Sequence, residues 1–183
     1  MASIEVFGSA ERSFLFPAPR PVAYEFYSSL PRIIPFLPRI VLVQEGDDEI
    51  YRVAYRSREL SVYDVDIPCD LRLSTAEGPE LLRIQHTDIH RFPEVAPYAT
   101  MRSCRAMGRF QIESRFQEAA ASQTMINYRL MLSSTLPKPL GLLLVPNSVM
   151  SGVVERIVQI RINEIVDHFV ADSVAAFAAE NGR

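Results

Sequence analysis

Alternating apolar and polar residues in the middle of the chain predict the strands of an antiparallel sheet. In RFQIESRFQ, Phe110, Ile112, Ser114 and Phe116 share one face, and the charged and amide side chains between them share the other. Such alternation is typical of a strand with one buried face. The pattern recurs in IYRVAYR, SVYDVDI and TMINYRLML, and further strands are predicted over residues 4–16, 40–45, 71–74 and 81–88.

The same alternation assigns side chains to the two faces of the sheet. In IYRVAYR, Tyr51, Val53 and Tyr55 are predicted to face inward, while Arg52 and Arg56 are predicted to face solvent. Charged side chains are rarely buried unless they are paired. We therefore expect a core on one side of the sheet and a wet surface on the other.

Helical spacing is confined to a few segments. RPVAYEFYSSLP predicts a helix that begins near Pro21 and stops before Pro31, and RIIPFLP supports only a short turn because two prolines interrupt it. A long amphipathic helix is predicted from an N-cap at Asn147 or Ser148 to Glu180. Its apolar positions are Met150, Val153, Val154, Ile157, Val158, Ile165, Phe169 and Phe177.

Composition restricts the class of protein. A chain of 183 residues predicts one domain, 1–183, and the net charge of −3 argues against nucleic acid as a partner. The first residues show no secretory signal pattern, and the longest apolar run, LGLLLV, is too short to span a bilayer. We therefore expect a cytoplasmic protein in which Cys69 and Cys104 are reduced thiols.

The order of these elements resembles the START-like superfamily, also called SRPBCC or helix-grip proteins. The resemblance is carried by FLFPAPRPVAYEFYSSLPRIIPFLPRIVLVQEGDDEIYRVAY and by SSTLPKPLGLLLVPNSVMSGVVERIVQIRINEIVDHF, and it is closest to a branch known in cyanobacteria and plastids. It implies an α+β helix-grip fold with a curved antiparallel sheet of about seven strands. Two short helices would follow the first strand, and the long C-terminal helix would pack across the sheet.

One stretch, LLRIQHTDIHRF, holds candidates for acid/base chemistry. His86, Asp88 and His90 alternate along it, so in a strand they would share a face. The two histidine Cα atoms would then lie roughly 13 Å apart, too far for one metal ion, so we expect no metal site. An imidazole beside a carboxylate suits general acid/base catalysis, whereas the alternative is an ordinary strand end.

The inward faces predict a pocket. Several tyrosines facing an apolar interior are typical of a small-molecule site with a few polar anchors, and the alternative is a filled core. Relatives implied by the resemblance bind apolar molecules in such a cavity. The predicted lining is Tyr55, Tyr63, Ile84, Phe110, Ile112, Ser114, Phe116, Tyr128, Leu130, Val154, Ile157 and Val158.

Three functions are compatible with this interpretation. The first is non-catalytic binding of a small apolar ligand, such as a lipid, isoprenoid or pigment-like molecule, without a cofactor. The second is a polyketide-cyclase-like enzyme that uses pocket His, Asp or Tyr residues, and the third is an assembly factor with a vestigial pocket. The apolar run from Leu142 to Val145 either completes the core or contacts a membrane or protein, and the oligomeric state stays open.

Overall fold

The chain forms one large sheet, three helices and a short 3₁₀ turn in the part that the structure describes. This computed structural model describes residues 3–59, 61–74, 78, 80–89, 91–139 and 147–181. In chain order the elements are β1 Ser3–Phe16, α1 Arg20–Tyr27, α2 Leu30–Ile33, the 3₁₀ turn Ile34–Phe36, β2 Ile40–Glu45, β3 Ile50–Glu59, β4 Tyr63–Ser74, β5 Leu81–His86, β6 Tyr98–Ala99, β7 Ser103–Arg105, β8 Gly108–Ala120, β9 Gln123–Pro137 and α3 Asn147–Asn181.

Seven of these strands form a continuous antiparallel path in the order β1-β9-β8-β5-β4-β3-β2. This confirms the predicted α+β helix-grip architecture. The structure adds β6 and β7, and β7 pairs in parallel with β4. Strands of two and three residues are too short to carry a detectable alternation, so the sequence did not predict them.

β4 is one strand, although the sequence predicted two separate pieces. Pro68 lies in its middle, opposite Ala54 of β3. On its other edge, β4 pairs with β7 over 64–66 and with β5 over 71–74, so Pro68 falls between those two ladders. A proline without an N–H is tolerated where no second neighbour requires a hydrogen bond.

The short helices begin at prolines. Pro21 and Pro31 occupy the first turns of α1 and α2, where a missing N–H costs nothing. The predicted helix up to Pro31 is therefore too long: α1 ends at Tyr27, and Pro31 opens α2 instead of stopping α1.

α3 contacts the sheet unevenly along its 35 residues. Its fully buried side chains begin at Ile162, and none of residues 150–161 is fully buried. Gly8 allows the close approach of β1 to α3, since a Cβ there would lie 2.6 Å from Cγ1 of Val158. No helix in the described part of the chain is both long and apolar enough to cross a membrane.

Aromatic rings fill the interior beneath the C-terminal half of α3. The Phe16 and Phe177 rings lie 4.5 Å apart between centroids, as do those of Tyr128 and Phe169. Ring pairs at this spacing add stabilisation beyond their area burial. The buried rings of this cluster are Phe16, Phe26, Tyr27, Phe116, Tyr128, Phe169 and Phe177.

Arg52 is buried, contrary to the prediction that it faces solvent. Its Nε and Nη2 atoms donate to the two carboxylate oxygens of Asp70 at 2.6 and 2.8 Å, and its Nη1 donates to the carbonyl of Pro93 at 2.7 Å. The Phe92 ring lies 5.1 Å from the guanidinium. The segment that contains Phe92 and Pro93 therefore covers this part of the outer face, and ion pairing compensates the buried charge.

Candidate ligand cavity

A cavity of about 480 Å³ lies between the sheet and the N-terminal half of α3. None of residues 150–161 of this helix is fully buried, so here α3 meets the sheet closely only in places, such as at Gly8 and Val158, and leaves space elsewhere. The volume is within the range of small-molecule sites. Most of the lining is aliphatic, and it includes Ile4, Val6, Ile40, Ile67, Leu132, Leu136, Met150, Val153, Val154, Ile157, Val158, Ile162 and Ile165.

One wall of the cavity carries polar groups. Tyr55 and Glu59 come from β3, and Arg161 comes from α3. Tyr55 donates a hydrogen bond to Glu59 Oε1 at 3.2 Å, while Arg161 Nη2 donates to Glu59 Oε2 at 3.2 Å. Burial raises the pKa of Tyr55 to about 12, so its phenol stays protonated and acts as a donor at neutral pH.

The cavity approaches the surface among apolar side chains. Val62, Met101 and Val153 belong to the lining, yet they are 64, 74 and 51% exposed. Large apolar side chains that are exposed together mark a ligand or partner contact more often than scattered ones do. They therefore give the cavity an apolar edge at the surface.

Comparison with solved structures identifies the fold. A START superfamily protein from Mycobacterium smegmatis matches 94% of this chain and 97% of its own, with a TM-score of 0.53 and 8% identity. The protein has the START-like, helix-grip fold. A Thermus thermophilus protein matches at a TM-score of 0.54 with 15% identity, covering 92% of this chain and 98% of its own. A Streptomyces aromatase/cyclase matches at 0.51 with 14% identity, covering 97 and 96%.

Sequence comparison does not identify a particular family within this fold. No protein-family model and no curated protein matches the chain. At the identities above, the similarity establishes the START-like fold alone. The relation to a cyanobacterial and plastid branch stays a prediction.

Seven of the twelve residues predicted for the pocket line the cavity. They are Tyr55, Tyr63, Phe110, Leu130, Val154, Ile157 and Val158. Their contact with a ligand stays a prediction.

The other five, Ile84, Ile112, Ser114, Phe116 and Tyr128, are buried and do not belong to the described lining, and their contact with a ligand also stays a prediction. Phe116 shows why they are buried, since its ring packs 5.5 Å from Tyr24 and 6.1 Å from Tyr27. The α1 side of the interior is filled by rings.

The candidate acid/base pair forms but lies apart from the cavity. His86 Nε2 is 3.0 Å from Asp88 Oδ1, and the Asp88 side chain is exposed. Neither residue belongs to the described lining of the cavity. His90 lies outside the described residues. Within those residues, no group of three or more His, Cys, Asp or Glu side chains comes together as a metal would require.

Both cysteines are buried and unreactive in character. Burial raises the pKa of Cys69 to about 12, and it also raises the pKa of Cys104, which borders the cavity. Low pKa values are what make cysteines nucleophilic. The neighbouring Arg105 pairs with Asp66 at 3.0 Å, so it does not stabilise a Cys104 thiolate.

Glu59 and Arg161 were missed by sequence reasoning, although a signal was present. Glu59 continues the inward series Tyr55–Ser57 at every second residue, and Arg161 lies four residues after Ile157, on the cavity side of α3. A charge on an otherwise apolar face indicates a paired, buried group. The strand prediction ended at Arg56, before that series reached Glu59.

Proposed function

We propose that the protein binds and carries a small apolar molecule, such as a lipid, isoprenoid or pigment-like compound, without chemical turnover. The observation that supports this most is the cavity of about 480 Å³ in a chain that elsewhere fills its interior with contacting rings. Protein interiors are normally packed to the density of organic crystals, and voids beyond water size are few. An apolar void of this size is stabilised by an apolar ligand.

Known structures of the same fold are compatible with this proposal. Those of similar architecture include a START superfamily protein and an aromatase/cyclase, so at least one protein of this fold is an enzyme. A cyclase would need acid/base groups against the substrate. Here the His86–Asp88 pair does not line the cavity, and no observation on the described residues favours turnover.

The route of ligand entry stays a prediction. The run from Leu142 to Val145, expected to contact a membrane or protein, lies outside the described residues. The exposed lining residues Val62, Met101 and Val153 support entry beside the start of α3. The cytoplasmic location also stays a prediction, and the oligomeric state stays open.

Titration with the uncharged dye N-phenylnaphthylamine tests the proposal. We expect saturable binding of one dye molecule per chain to the parent protein. Val154→Phe should block it by placing a ring in the cavity. Ile160→Phe is the matched control, because Ile160 lies on the same helix but is exposed and does not line the cavity.

Native mass spectrometry of protein purified gently from its own cells is the complementary measurement. A co-purifying mass of a few hundred daltons that is missing from Val154→Phe would identify the natural cargo. Dye binding that is equal in the parent and Val154→Phe, with both folded by circular dichroism, would contradict the cavity as the binding site. No dye binding and no co-purifying molecule would contradict the proposed function itself.

A further inference from the structure

Two of the described lining residues carry a charge, and they face each other. Glu59 lies at the C-terminal end of β3, and Arg161 lies on α3. Arg161 Nε and Nη2 each donate to Glu59 at 3.2 Å. Lys138 is buried between the lining residues Pro137 and Pro139, but it is not a described lining residue and already has an interaction partner.

The pair belongs to a network of four charges that sum to zero. Arg161 Nη1 also donates to Glu164 at 2.8 Å, and Arg39 Nη2 donates to the other oxygen of Glu164 at 3.1 Å. Burial by itself raises the pKa of Glu59 and of Glu164, but hydrogen bonds from the arginines outweigh it and hold both values below the ordinary one. Both carboxylates are therefore ionised at neutral pH.

A ligand that brought a charge into this wall would find no unpaired opposite charge among the described lining residues. A carboxylate would approach Arg161 only by displacing Glu59, and a cation would approach Glu59 only by displacing Arg161. A buried charge without a partner is strongly unfavourable, whereas a neutral polar group costs far less. The network therefore discriminates by charge, independently of the shape of the ligand.

A neutral hydrogen-bonding partner is available in the same wall. The Tyr63 hydroxyl is buried beside Cys104 and has no oxygen or nitrogen partner among the described residues. Burial raises the pKa of Tyr63 well above its ordinary value, so the group stays a neutral phenol. Such a hydroxyl can donate to an uncharged carbonyl or hydroxyl oxygen.

We propose that the cavity selects an uncharged amphiphile, an apolar body with one hydroxyl or carbonyl group, and rejects ionised lipids because Glu59 and Arg161 neutralise each other. This inference rests on the proposed function and specifies its ligand class. The Glu59–Arg161 pair acts here as the determinant of specificity.

Displacement of N-phenylnaphthylamine by three ligands with the same chain tests this inference. The ligands are dodecanol, dodecanoate and dodecyltrimethylammonium, compared at about pH 8, where the carboxylate is ionised. Dodecanol should bind the parent about tenfold more tightly than either ion. Equal or tighter binding of an ion would overturn the selectivity while leaving the proposed function intact.

Variants of the pair decide whether the charges are the cause, because an alcohol also enters any apolar site more readily than an ion. Glu59→Gln leaves Arg161 in excess, so the affinity ratio of dodecanoate to dodecanol should rise about tenfold. Arg161→Gln should instead raise the ratio for dodecyltrimethylammonium. Glu113→Gln is the control, since Glu113 is also paired with two arginines but does not line the cavity.

Unchanged ratios in a folded Glu59→Gln or Arg161→Gln protein would overturn the inference. Should one variant fail to fold, the other variant decides it against the Glu113→Gln control. If none of the ligands and no dye binds the parent, the proposed function is wrong and this inference falls with it.

Discussion

A single substitution made at two positions of α3 measures where the interior is empty and where it is filled. Val154 lines the cavity and is half-buried, whereas Val166 is completely buried in the core outside the lining. Replacing either by phenylalanine adds four carbon atoms to the side chain. Because valine and phenylalanine have similar helix propensities, the intrinsic helical cost cancels between the two variants.

The expected effects on the free energy of unfolding have opposite signs. At Val154, burying four more carbons at about 0.8 kcal/mol each gives an upper limit of about 3 kcal/mol. Loss of side-chain freedom and incomplete contact reduce this to a net gain of about 1 kcal/mol. At Val166 no space is available, and overpacking should cost about 1–3 kcal/mol or more.

Urea unfolding followed by far-ultraviolet circular dichroism is the suitable assay, since the chain contains no tryptophan to report by fluorescence. A change of 1 kcal/mol corresponds to a shift of about 2–4 °C in Tm for a chain of this size. Equal destabilisation by Val154→Phe and Val166→Phe would refute the reasoning, because it would mean that the start of α3 is packed as tightly as its middle.

Three further predictions concern the core, the helix contact and acid stability. Tyr128→Phe should leave the stability unchanged or raise it by about 1 kcal/mol, because it removes a buried hydroxyl with no partner among the described residues. Tyr27→Phe should lower the stability by about 1 kcal/mol, because the Tyr27 hydroxyl forms a hydrogen bond with Ser173 at 2.9 Å. The opposite order of stabilities in urea would contradict this. Gly8→Ala should lower the free energy of unfolding by about 1–3 kcal/mol, because it forces a Cβ against α3. The control Gly152→Ala, on an open helix surface, should raise it by about 0.5–1 kcal/mol. Equal effects would exclude a tight contact at Gly8. The lowered pKa of Glu59 contributes stability that is complete above the unfolded pKa of about 4.5 and is lost as the pH falls through the folded pKa. Glu59→Gln should therefore lose less stability between about pH 6 and 3 than the parent does. Parallel loss of stability in the two proteins would show that Glu59 does not contribute.

The sequence by itself determined most of the architecture. Alternation in RFQIESRFQ and its counterparts fixed which side chains of β8 and β9 face inward, and the structure buries Phe110, Ile112 and Phe116 as expected. Residues 40–45 were predicted with the observed limits of β2. Such features depend on the period of the backbone and on burial of one face, and both are local properties of the chain.

Only the tertiary structure decided where the interior is filled and where it is open. All twelve predicted pocket residues face inward. The alternation within β8 cannot show, however, that rings from α1 pack against Phe116, because α1 is distant from β8 in the sequence. The burial of Arg52 likewise depends on Asp70 and on the carbonyl of Pro93, which are distant in sequence. The pairing of Glu59 with Arg161 spans more than a hundred residues. A void or a buried ion pair is a property of the surfaces that meet, and periodicity within one segment contains no information about the surface opposite it.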